Sequence, residues 1–226
     1  MLVTAPIVST GPCRRSPIVE VSSGRVYAVD VAPGWGVHGV VACLESAAHA
    51  LPSWRTQLGR PGLAVVVDLA LAELVGLSTD QICDVLARHG LAPDALVVRV
   101  PRFAAGDPTA ELDRLAERGV TIAVASVDLR GAGAGLLVGA PIDLLELPPR
   151  AVHAVDVDGE AAAELELAIE VAHRHDWLTV ARDVGRSEQL AALRRLGCDL
   201  AAGPAVTQFW PTIDDALARL AAPLAS

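Results

Sequence analysis

Apolar residues recur along this chain in two alternating rhythms. Short runs such as LAVVVDLA at 63–70, ALVVRV at 95–100 and VTIAVASV at 120–127 are apolar almost throughout. That is the pattern of strands covered on both faces. Between them lie longer stretches whose apolar positions suit one face of a helix and which end at glycine. Thr79 to His89 stops at Gly90, Pro108 to Arg118 stops at Gly119, and a helix with Leu190, Leu193 and Leu196 on one side stops at Gly197. The same spacing predicts a strand over IDLLEL at 142–147, a helix from Gly159 to His175, a strand from Trp177 to Ala181 and a last strand from Cys198 to Ala201. Ser187 is the expected N-cap of the helix before Gly197. Thr212 is expected to open a terminal helix running to Leu220. Val40 to Leu58 is a further helix, with Pro52 expected to interrupt it or end its first part.

The beginning of the chain reads differently. SPIVEV and GRVYAVDV are two short strands joined at Ser22-Ser23-Gly24, a hairpin signal. Residues 1–16, with Pro6, Gly11, Pro12 and two arginines, read as an irregular lead-in. Beyond them no stretch rich in Gly, Ser and Pro divides the chain, so 17–226 is expected to be one domain. Apolar strands alternating with helices imply a parallel sheet covered by helices. So many strand–helix units in 226 residues favour a closed α/β barrel over an open sheet.

Composition narrows the classes. The chain is 52% hydrophobic, enough for a closed core, and its formal net charge is −9 with no basic block. A nucleic-acid partner, which needs phosphate neutralisation, is therefore not expected. Cys13, Cys43, Cys83 and Cys198 form no CxxC pair, and neither a disulfide framework nor a zinc site is expected. No basic region precedes an apolar stretch at the N-terminus, and every long apolar run is broken by a charge or a helix breaker. No membrane association is expected, and a cytoplasmic location is.

Other motifs carry little chemistry. RGAGAG at 130–135 lacks the lysine and hydroxyl of a P-loop. Asp156, Asp158 and Glu160 lack the remaining ligands of a calcium loop. The six histidines are scattered, apart from His173 and His175, which do not share a helix face. Phe209 and Trp210, within QFWP, are candidates either for capping the core or for contacting a partner protein.

The order of segments has a family likeness. Pro17-Ile18-Val19, Gly24-Arg25-Val26, Trp35, Leu63 to Leu69, Gly119 to Val124, Pro141-Ile142-Asp143 and GRSEQLAALRRLGCDLAAG at 185–203 follow the order and spacing of the EAL domain. The chain resembles that family, whose active members hydrolyse cyclic di-GMP with carboxylate-bound divalent metals. The resemblance implies a TIM-like (β/α)8 EAL barrel in a bacterial cyclic di-GMP signalling setting. The segment between Trp35 and Leu63 is shorter than the family's, which suggests a barrel locally open beside an apolar surface.

At the positions where the resemblance implies catalysis, the residue types are wrong for it. Asp30 stands where the family's name-giving glutamate belongs, and Gly34 where an arginine would hold phosphate. Asp68 replaces a metal-binding asparagine, Arg99 a metal-binding glutamate, and Pro101 and Arg102 the threonine and glutamate that follow. Ala125 and Ser126 stand for paired aspartates, and Glu146 and Pro148 for a lysine and an aspartate. Arg182 and Gly185 replace glutamates, and Ala202 a glutamine. Two divalent ions need several oxygen ligands, and an arginine at a ligand position repels them.

The expectation is thus a degenerate domain with no catalytic residues, no metal and no cofactor. Asp30, Asp68 and Arg99 would form one ion-paired group at the barrel mouth, and Glu146 and Arg182 another. Such a domain would serve as a protein-interaction or regulatory module, with another protein as partner and a homodimer permitted. The alternative is a non-hydrolysing receptor for cyclic di-GMP or another small anion, using Arg99, Arg102, Arg130 or Arg182 as clamp. A barrel enzyme of different chemistry, with Glu146 or Asp128 as base, is the third reading.

Overall fold

The computed structural model describes residues 14–32, 39–71, 73, 77–101, 109–125 and 139–209. Eight strands close into a barrel in sequence order: β1 (Arg14–Glu20), β2 (Val26–Ala32), β3 (Ala64–Asp68), β4 (Leu96–Val100), β5 (Thr121–Val124), β6 (Leu144–Glu146), β7 (Leu178–Ala181) and β8 (Leu200–Ala201). Strands β2 to β8 run parallel, and β1 is antiparallel to both its neighbours, as the hairpin at Ser22-Ser23-Gly24 requires. β1 begins at Arg14, so residues 14–16 of the expected irregular lead-in are strand, held by pairing of Ser16 opposite Asp30.

Seven helices are described: α1 (Val40–Leu58), α2 (Thr79–Arg88), α3 (Ala110–Glu117), α4 (Pro149–Ala154), α5 (Gly159–Arg174), α6 (Ser187–Leu196) and α7 (Pro204–Phe209). α4 and α7 are not evident from periodicity, because six residues are too few to show a repeat. Each opens with proline, whose fixed φ suits the first turn.

Two local expectations are corrected. α1 runs unbroken through Pro52, because Leu51 and Trp54 on either side are buried and their packing outweighs the lost hydrogen bond. Ser187 is the first residue of α6, not its cap. The buried Gln189 side chain satisfies that terminus, accepting from the amides of Gly185 and Arg186 at 2.9 and 3.0 Å and donating to the His153 carbonyl at 2.8 Å. The strand ring is closed despite the shortened segment, and α1 lies against β3 and α2.

The core has two layers. Ile18, Ala28, Ala64, Val66, Val97, Ala123, Leu144, Val180, Leu200 and Ala202 fill the barrel interior, with Tyr27 packed against them. A larger layer of Val, Leu and Ala joins the outer strand faces to the helices. The loops after β7 and β8 meet above this core at Gly203, where φ is +135° and a Cβ would stand 2.4 Å from the Val184 amide nitrogen. Only glycine tolerates that approach.

Candidate functional site

Strand alternation sends every second side chain into the barrel. From the interior residues Ala28, Val66, Val97, Leu144 and Val180, two positions further along the chain bring Asp30, Asp68, Arg99, Glu146 and Arg182 to the C-terminal end of the strands. That end is where parallel barrels keep their chemistry. Strand geometry therefore stacks a charged layer directly on an apolar one.

All five side chains meet. Arg99 donates to Glu146 through Nε and a terminal nitrogen at 2.5 and 3.0 Å, and to Asp68 at 2.8 Å. Arg182 donates to Asp30, and its Nε lies 3.9 Å from Glu146. The Glu146 side chain is 8% exposed, Asp30 10%, Arg99 15% and Arg182 20%, whereas Asp68 at 40% forms the outer rim. Burial alone would push the Arg99 guanidinium down. The hydrogen bonds and charge of Glu146, then those of Asp68, outweigh it and hold Arg99 above its ordinary value.

Two expected pairs are present, Arg99 with Asp68 and, at 3.9 Å, Arg182 with Glu146, but the closer contacts join the two groups. Arg99 bridges Asp68 to Glu146, and Arg182 takes Asp30 as its principal partner. The reason is reach. β5, between Arg99 and Glu146, and the residue that follows it present only alanines at this level, Ala123 and Ala125, so the long Arg99 side chain crosses to β6.

Carboxylate-bound divalent metal does not fit this arrangement. Three acids converge, but two guanidiniums already occupy the space between them, and Ala125 brings no oxygen ligand. Among the described residues no group of three or more His, Cys, Asp or Glu is disposed to hold a metal ion. Pro101, Pro148 and Ala202 border the mouth and carry no side-chain ligand. Gly34, Trp35, Arg102, Ser126, Asp128, Arg130 and Trp210 lie outside the described residues. Phe209 ends α7, and its side chain is likewise outside them.

The opposite end of the barrel holds groups that sequence reading passed over. Asp143 accepts from the Ile122 amide at 2.8 Å. Asp199 accepts from the amide and hydroxyl of Thr179 at 2.9 and 2.8 Å and lies 2.8 Å from His173 Nε2. Both acids stand one residue before a strand, in the repeated pair Asp-Leu, which is the signal that could have found them. A groove of about 390 Å³ opens here beside Tyr27, Leu178, Arg194 and Asp199. Burial, then the charge of Asp143, push the Tyr27 phenol up. Burial pushes the nearby Cys198 thiol up to about 11, so it is an inert core group.

The EAL domain family profile matches residues 42–208, from α1 into α7 and so through six of the eight strands. This chain belongs to the EAL domain family. No curated protein matches its sequence. Among solved structures, this EAL domain superposes on the EAL domain of Mycobacterium smegmatis DcpA with a TM-score of 0.74 and 18% identity, covering 91% of this chain and 98% of that one. It superposes on the PaMucR phosphodiesterase in complex with cyclic di-GMP with a TM-score of 0.71 and 21% identity, covering 84% and 88%. For the manganese and cyclic di-GMP complex of Klebsiella pneumoniae BlrP1 the values are 0.69 and 22%, covering 88% of this chain but only 56% of the longer BlrP1 chain. At such identities the likeness establishes the shared barrel and leaves the chemistry of the mouth to its own residues. Among the described residues no helix is long and apolar enough to cross a membrane.

Proposed function

We propose that this EAL domain does not hydrolyse cyclic di-GMP and acts instead as a regulatory module that binds another protein. One observation carries the reading: the five described charged groups of the mouth are spent on one another. Asp30, Asp68 and Glu146 are partnered by Arg99 and Arg182, so among the described residues no open set of carboxylates faces a metal or a substrate phosphate. Hydrolysis of a phosphodiester by two metals needs such a set to offset charge at the attacking and leaving oxygens.

The same observation weighs against the receptor reading. A phosphate clamp needs free, directed guanidinium donors. Nε and both terminal nitrogens of Arg99 are already engaged with Asp68 and Glu146. It also weighs against different chemistry with Glu146 as base, since that carboxylate is bound through both oxygens to Arg99. The complexes of PaMucR and BlrP1 with cyclic di-GMP make that nucleotide the ligand to test first.

The test is calorimetric titration of the whole chain with cyclic di-GMP, with and without Mg²⁺ or Mn²⁺, followed by chromatography of the nucleotide. The expected result is no heat and no product. Metal-dependent turnover overturns the reading, and metal-independent binding replaces it with the receptor.

A further inference from the structure

We propose that the groove at the N-terminal end of the barrel, between the β1–β2 hairpin and the starts of β7 and β8, seats one cationic side chain, an arginine or lysine, of a partner protein. The inference rests on the protein-binding reading above and deepens it, because it names the surface and the chemistry of the contact.

A bulge in β2 builds the groove's inner wall. Ile18 pairs with Ala28 and Val19 with Val26, so Tyr27 is an extra residue between the two pairs. Val26 belongs to the outer layer and Ala28 to the barrel interior, and the bulge lets Tyr27 pack against the interior as well. Bulges re-aim side chains in this way, often beside functional sites. The re-aimed ring lines the groove of about 390 Å³, and among the described residues its hydroxyl has no hydrogen-bond partner. Leu178, the first residue of β7, lines the same groove and is 36% exposed, a large apolar group left in water.

The charge of this end is not cancelled as it is at the mouth. Asp143 and Asp199 are held by neutral donors, the Ile122 amide and the amide and hydroxyl of Thr179. Such bonds keep a carboxylate ionised without offsetting its charge. His173, 2.8 Å from Asp199, adds positive charge only when protonated. The charge of Asp143 reaches the Tyr27 phenol, which it helps to push up. Glu20, at the rim, has Arg60 at 3.3 Å. Arg194 turns Nε and a terminal nitrogen onto the Val21 carbonyl, at 3.1 and 2.8 Å. Three acids thus meet two guanidiniums, one of them directed at backbone.

An apolar wall under a surplus of carboxylate suits a long cationic side chain, which buries its stem and keeps its charged head among polar groups. A tyrosine ring adds attraction for the same head. An anion meets repulsion here, and a purely apolar ligand would desolvate the carboxylates without compensation.

Tyr27 is the only tyrosine in the chain, so isotope-labelled tyrosine gives ring signals in an NMR spectrum that report on this groove alone. The full chain is titrated with Nα-acetyl-arginine N-methylamide, with the citrulline counterpart as a neutral isostere and free L-arginine as a small-molecule control. The arginine probe is expected to shift the Tyr27 signals saturably in the millimolar range, and the citrulline probe to bind about tenfold more weakly. Leu178→Arg, which supplies a guanidinium at the groove wall, should abolish the shift. Glu20→Gln should weaken binding about threefold.

No saturable shift, or an equal response to the citrulline probe, overturns the proposal. So does tighter binding of free L-arginine, whose own carboxylate the acids should repel, because that marks a small-molecule site. Should Leu178→Arg fail to fold, Glu20→Gln decides, and unchanged affinity there overturns the proposal. A silent groove in a chain without turnover sinks this inference alone. Turnover of cyclic di-GMP by a chain whose groove takes the arginine probe sinks the non-hydrolysing reading and leaves the groove standing.

Discussion

At the lower rim of the barrel, Asp143 and Asp199 turn their carboxylates onto backbone amides of the preceding strand, on residues 21 and 20 positions away. At the mouth, Asp30, Asp68 and Glu146 bind guanidiniums 31 to 152 positions away. The lower carboxylates are fixed by strand register and close the ladder between neighbouring strands. Those at the mouth keep their charge in a half-buried place because other strands deliver arginine to them. The first arrangement is self-contained; the second is a mutual dependence, in which each member makes the others tolerable. Barrels generally put stability at the first end and chemistry at the second. Here the described groups of the second end also form a packed layer of paired charges.

That contrast predicts its own breaking points. Glu146→Leu should have the largest effect, about 3–5 kcal/mol of stability lost by urea unfolding, because Arg99 and part of the field on Arg182 lose their buried counter-charge. Glu146→Leu combined with Arg99→Met should recover to within about 1 kcal/mol of the wild type, since a matched apolar pair removes both desolvation costs. Equal loss in the single and double variants would mean that the mouth is not a coupled unit.

Asp199→Ala should cost about 1–3 kcal/mol, because it strands the amide and hydroxyl of the fully buried Thr179. No change at Arg99 should alter that cost, since the two sites share no partner.

The smallest effect belongs to a carboxylate on the outer surface. The Glu45 carboxyl is held below its ordinary value of 4.5 first by the hydrogen bond with His89, against an opposing pull from burial, and then by Arg88. A depressed carboxyl contributes stability above its unfolded value that disappears as pH falls through the folded one. Glu45→Gln should therefore cost only about 0.3 kcal/mol at neutral pH. The difference from wild type should begin to shrink as pH drops below 4.5 and vanish only once pH has passed the lower, folded value, as read from parallel urea titrations.

Much of the barrel was legible in the chain because its strands are apolar on both faces. LAVVVDLA, ALVVRV and VTIAVASV need no knowledge of neighbours to be read as buried strand, and Gly90, Gly119 and Gly197 mark helix ends for local backbone reasons. Pro52 misled because a propensity cost of roughly 3 kcal/mol is smaller than the packing of the residues around it. Ser187 misled because a glutamine two positions on does the capping from inside the core. The Asp-Leu pairs at 143 and 199 went unread because an acid before a strand gains its meaning only when the adjacent strand presents an amide to it.

The charged layer divides in the same way. The strands are apolar on both faces, so the chain alone did not mark Asp30, Asp68, Arg99, Glu146 and Arg182 as inward; the closed barrel did, two positions on from its interior residues. Their family likeness identified those strand ends as one mouth. Which acid answers which arginine was not contained in the strands taken singly. That depends on the closure of eight strands into a ring and on the alanines in and just after β5, which open a path for Arg99 across to β6. Side-chain alternation is a local property of the chain, whereas the inward face is set by closure and a partner across a barrel by distance, and distance exists only once the ring is closed.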